Sequence, residues 1–83
     1  MNHPLLPRYL RLTERMAELR GTLKDTEARI ADILNGDVWV DPVAVDTRLI
    51  FLMDQRGACQ RDLADTEEVR AITYELMQRQ NAA

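Results

Sequence analysis

Apolar side chains recur at Leu5, Tyr9, Leu12, Met16, Leu19, Leu23, Ile30 and Ile33, with Thr26 keeping the rhythm in the one gap. After a first step of four, the steps alternate three and four for four repeats. A heptad seam of this length constrains the fold more than any other feature of the chain. It lines one stripe of a long helix, and that stripe is stable only when a second helix lies along it. Pro7 suits the first turn, where its missing N–H costs nothing. Asn35-Gly36 supplies a stop, since both residues tolerate the left-handed backbone that closes many helices. The pattern predicts a helix from about Pro7 to Leu34. Gly21 falls on the face away from the seam, where it costs about 1 kcal/mol relative to alanine.

The second helix must come from the remainder of the chain. Residues 35–41, Asn-Gly-Asp-Val-Trp-Val-Asp, read as the turn, and Asp41-Pro42 is a helix-start pair: an acceptor side chain, then a residue with φ already set. A helix from Pro42 to about Gln80 follows. Its apolar positions are Val45, Leu49, Leu52, Cys59, Leu63, Val69, Ile72 and Leu76; they skip at Arg56 and shift phase between Thr66 and Val69, which argues against a regular supercoil along its whole length. At 1.5 Å per residue the two helices span about 42 and 58 Å. The second should therefore outrun the first, leaving Ile72, Tyr74, Leu76 and Met77 short of partners. The pentapeptide Leu-x-Asp-Thr-Glu occurs twice, at Leu23–Glu27 and Leu63–Glu67. The expected fold class is all-α: an antiparallel, coiled-coil-like two-helix hairpin in a single domain, 1–83.

A chain of 83 residues seldom builds a core worth more than roughly 3–5 kcal/mol unaided. Cys59 is the only cysteine and His3 the only histidine, so neither an internal disulfide nor a Cys/His zinc cluster can supply support. Association is the remaining source. Two features point the same way. The run Leu49-Ile50-Phe51-Leu52-Met53 turns about 100° per residue and presents apolar groups all round its helix. Leu10, Ala17 and Ala31 widen the apolar face of the first helix beyond one seam. Completion into a helical bundle, by homodimerisation or by a protein partner, is the expected solution.

Charge and motif content narrow the function classes. The net charge of −3 and pI near 5.0 do not attract nucleic acid or anionic lipid. The charge is unevenly spread: residues 1–30 carry six basic and four acidic side chains, residues 31–83 five and ten. No apolar run approaches the ~20 residues of a membrane span, and the N-terminal residues lack the form of a secretory signal. A lone cysteine fits a reducing compartment, so cytoplasm is the expected location. His3 sits beside a proline in what should be a frayed end, and Cys59 lies on the core side without an activating neighbour. With no phosphate loop, nucleophile elbow or Glu-x-x-His pattern, no catalytic residue, metal ligand, cofactor or small-molecule substrate is expected, and the chain is read as a non-enzyme.

The residues expected to meet a partner are Val38, Trp39 and Val40 in the turn, Ile50, Phe51 and Met53 on the second helix, and the overhanging Tyr74 and Met77. Trp39 can either plug the closed end of the hairpin or anchor an interface, as buried tryptophans often do. Arg8, Arg15 and Arg29 occupy one flank of the first seam with Arg11 and Arg20 nearby; such rows pair more often with acidic residues across a helix interface than with phosphates. The outline, with Asn35-Gly36-Asp37 at the turn, resembles the exonuclease VII small subunit. In length and proline-marked turn it is also similar to type III secretion needle subunits and their small chaperones. These are bacterial hairpin families, and the resemblance implies a helical hairpin working within a larger assembly. The function expected is a non-catalytic protein-interaction module: adaptor, assembly factor, chaperone-like cover or inhibitor. The alternative is a non-catalytic small subunit of a nucleic-acid enzyme or nucleic-acid-binding complex.

Overall fold

In the computed structural model, which describes residues 3–36 and 42–82, the chain is two helices packed along their length. Helix α1 covers Leu6–Asn35 and helix α2 Pro42–Ala82, in a rod of 64 × 17 × 14 Å. Both spans lie within two residues of the sequence expectation. The turn triplet Val38, Trp39 and Val40, and with it the choice between plug and anchor, lies outside the described residues.

The ends of α1 differ from expectation. The start is not frayed: the Leu6 N–H donates to the His3 carbonyl at 3.0 Å and the Leu5 N–H donates to His3 Nδ1, also at 3.0 Å. His3 thus closes the turn that precedes the helix; Leu5, the N-cap residue, carries no side-chain cap of its own. At the other end Gly36 is extended (φ −78°, ψ 147°) rather than left-handed. The helix stops because the chain leaves in a β conformation that any residue can adopt.

The seam of α1 is as the heptad predicts. Met16, Leu19, Thr26 and Ile30 are buried, and Leu5, Tyr9, Leu12, Leu23 and Ile33 are half-buried. The seam of α2 corrects the expected phase shift. Its inward positions are Val45, Leu49, Leu52, Arg56, Cys59, Leu63, Thr66, Arg70, Thr73 and Met77, an unbroken alternation of four and three. Val69, Ile72 and Leu76, which the apolar pattern assigns to the core, stand on the surface.

Polar residues can hold a seam because each disposes of its polar atoms locally. The hydroxyl of Thr73 donates to the Val69 carbonyl at 2.8 Å, that of Thr66 to Asp62 at 2.7 Å and that of Thr26 to Thr22 at 2.8 Å. Each then presents a methyl group to the other helix. Arg70 reaches across to Tyr9, its guanidinium carbon 5.7 Å from the ring centroid, and donates to the Thr13 hydroxyl at 3.4 Å. Both copies of Leu-x-Asp-Thr-Glu occupy the same heptad positions, with a half-buried leucine followed three residues later by a back-bonded threonine.

Cross-helix contacts set the register. Cys59 Sγ–H donates to the Leu19 carbonyl at 3.1 Å, Arg20 meets Glu67 at 3.5 Å, and the Tyr9 and Tyr74 rings lie 6.0 Å apart. Residues whose numbers add to about 82 are therefore level with one another. This register places Leu6 near residue 76 and Asn35 near residue 47, so the extra length of α2 is shared between both ends. Tyr74 is accordingly not beyond the reach of α1: it packs on Tyr9.

Candidate interaction surfaces

The single seam leaves nine large hydrophobic residues exposed among the described residues, against five buried ones. Helix geometry sorts most of the nine onto two opposite flanks of the rod. On α2, Met53, Gln60, Glu67 and Tyr74 follow the seam on one side, with Ile50, Ala64 and Ala71 outside them. The contacts of Glu67 with Arg20 and of Tyr74 with Tyr9 fix this as the side facing Thr13, Arg20 and Leu34 of α1. Leu10, Ala17 and Ala31 complete this tyrosine face. On the other side Val69 and Leu76 flank the seam, with Phe51, Ala58 and Ile72 outside them. They share that arginine face with Arg8, Arg11, Arg15 and Arg29 of α1.

The expected partner-binding residues distribute as follows. Ile50, Met53 and Tyr74 are exposed and lie on the tyrosine face. Phe51 is exposed on the arginine face. Met77 is half-buried at a seam position, so most of its side chain is committed to the hairpin. Leu10, read from the sequence as apolar surface beyond the seam, and Ile72 and Leu76, read as short of partners, are exposed; Leu34 was not singled out, and Val69 was counted with the inward apolar positions. Counting the heptad onward from Cys59 through Leu63, Thr66, Arg70 and Thr73 would have placed Val69 outside.

An open depression of about 230 Å³ lies on the tyrosine face, lined by Tyr9, Glu67, Arg70, Ala71 and Tyr74. Two aromatic rings, a guanidinium and a carboxylate suit an aromatic or amphipathic side chain from a partner. They do not form a nucleophile–base pair. Cys59 is buried and its thiol is engaged with the Leu19 carbonyl. His3 Nδ1 is occupied as an acceptor, which leaves the ring proton of the neutral form on Nε2, a buried nitrogen with no hydrogen-bond partner among the described residues. No group of three or more His, Cys, Asp or Glu capable of holding a metal occurs among the described residues.

The arginines pair less across the helices than expected. Arg20–Glu67 crosses between them; Arg15 instead meets Glu18 of its own helix at 3.4 Å, and Arg79 meets Glu75 at 2.7 Å. Arg8 and Arg11 make no ion pair among the described residues. No described helix is long and apolar enough to cross a membrane. No family model matches the chain, and no curated protein or solved structure matches it.

Proposed function

We propose that this chain is a non-catalytic protein-interaction module, an adaptor or assembly factor whose hairpin presents apolar helix faces to other proteins. The observation that carries this reading is the surplus of exposed over buried large hydrophobics once the seam is filled. Contiguous apolar surface rimmed by polar groups is the mark of a binding face in a water-soluble fold. Ile50, Met53 and Tyr74 supply one contact set, and Phe51 another. Val38, Trp39 and Val40 are the third expected set.

Affinity capture from host lysate tests the reading, comparing the wild-type chain with Ile50→Asp/Met53→Asp. Both positions are exposed, so helicity should be unchanged while specific capture is lost. Equal capture by a helical variant refutes a role for this face. The Trp39→Ala variant extends the test to the turn: loss of capture at an unchanged melting temperature marks an anchor, and a large fall in stability marks a plug.

A second reading, a non-catalytic subunit of a nucleic-acid enzyme, draws on Arg8 and Arg11, two cations that make no ion pair among the described residues. A salt-sensitive gel shift would support it. The carboxylates of Glu18, Asp25, Asp62 and Asp65 share the arginine face and weigh against it.

A further inference from the structure

The arginine face is divided along its length. Toward the end bearing His3 lie Arg8, Arg11 and Arg15, beside the exposed Val69, Ile72 and Leu76. Immediately beyond, at the levels the register gives, the balance is acidic: Glu18, Asp25 and Asp32 on α1 and Asp62 and Asp65 on α2, five carboxylates against Arg29 and Arg48. Ala58 and Phe51 accompany them. A surface whose adjacent halves are basic and acidic, each with apolar residues, is complementary to itself when inverted end for end.

We propose that a second copy of this chain docks here, the two arginine faces related by a two-fold axis that crosses the rod near the level of Ala17 and Asp65. The inference rests on the protein-interaction reading above and names one of its partners. An isologous contact pairs each patch with its complement twice. Inversion about this axis brings Arg8 of one copy over Asp25 of the other, and Arg15 over Glu18 and Asp62. Ile72 then falls on Ala58, and Leu76 falls next to Phe51. Asp65 meets its own copy at the axis, between the two Arg15 side chains, as one like-charge contact, and Arg29 falling within a turn of Arg8 is another.

Surface area supports the same occupant. The chain exposes 6544 Å², whereas a compact monomer of 9.6 kDa exposes roughly 5,100 Å². The difference exceeds the ~800 Å² per partner that a standard interface buries. It leaves room for one hairpin on the arginine face while the tyrosine face stays open.

Charge exchange in the full-length chain, read by sedimentation equilibrium, tests the proposal. The wild type should dimerise, and more weakly as salt is raised, because the pairs are solvent-accessible and screened. Arg8→Glu/Arg15→Glu and Asp25→Arg/Asp62→Arg each turn attractive pairs into repulsive ones, and each should weaken self-association by at least about tenfold. Mixed in equal amounts, the two variants restore the pairs of position 8 with 25 and of position 15 with 62 in both halves of the interface and leave only position 15 facing Glu18 unfavourably in one half, so the mixture should recover most of the affinity that each variant loses. Asp65→Asn should tighten the dimer. Lys24→Glu, on the tyrosine face, should leave it unchanged.

A wild type that remains monomeric to high concentration overturns the proposal. So does a dimer that survives both charge variants, or a mixture that does not recover. Assembly that appears only with added oligonucleotide and is lost in Arg8→Glu/Arg15→Glu would assign the arginines to phosphates and overturn it equally. None of these results touches capture through Ile50 and Met53, which judges the broader function separately.

Discussion

Phe51 and Leu52 are adjacent, both large and both apolar, yet the hairpin should respond to their loss very differently. Leu52 is 5% exposed and Phe51 67%. Truncating a buried leucine to alanine removes its transfer free energy and leaves a cavity, which together cost about 2–5 kcal/mol. A loss of that size removes much of the roughly 3–5 kcal/mol that a core of this size supplies, so Leu52→Ala should unfold at far lower urea than the wild type. Phe51 has only a third of its surface to lose. Full burial of a phenylalanine contributes about 1.5–3 kcal/mol, so truncation forfeits about 0.5–1 kcal/mol, and the higher helix propensity of alanine returns about half a kcal/mol. The net change for Phe51→Ala should lie within about 0.5 kcal/mol of zero. Urea unfolding followed by circular dichroism at 222 nm measures both. It must be run at a concentration where the wild type is monomeric, because Phe51 stands on the proposed dimer face. Equal losses for the two variants would refute the assignment of the seam. A large loss confined to Phe51→Ala would mean that α2 is rotated about its axis from the orientation described here.

Three further outcomes follow from the packing. The Cys59 thiol should resist a maleimide in the native chain and react at once in denaturant, because it is buried against the Leu19 carbonyl; rapid native labelling would contradict the register. A double-mutant cycle on Arg20 and Glu67 should give no more than about 1 kcal/mol of coupling, fading with salt, since both side chains are half-exposed. His3→Ala should loosen the turn that leads into α1, seen as faster amide exchange at Leu5, whose N–H loses its imidazole acceptor, with the helix itself unchanged.

The hairpin was legible in the sequence because its information is local and periodic. The α1 seam and the two helix spans follow from spacing; the stop at Asn35-Gly36 falls where expected, but by an extended rather than a left-handed glycine. The inward face of α2 was not legible from polarity alone. Thr66, Arg70 and Thr73 look like surface residues until their hydroxyls and guanidinium are given partners, and those partners are carbonyls and a ring that only coordinates reveal. Val69, Ile72 and Leu76 look like core for the same reason reversed. Hydrophobicity locates surface that should leave water; it does not say which protein molecule will cover it. The turn closed by His3 was missed because it precedes the periodic pattern, and the division of the overhang because lengths alone do not fix register.

The chain doubles back once, so His3 and Ala82 emerge at one end of a rod 64 Å long, while the opposite end carries only the connection between the helices. Anything joined to either terminus is held at arm's length from whatever meets the far end. The hairpin thus has the mechanical form of a strut of fixed reach. Its two helices touch along a single line, so it should resist stretching and compression far better than bending.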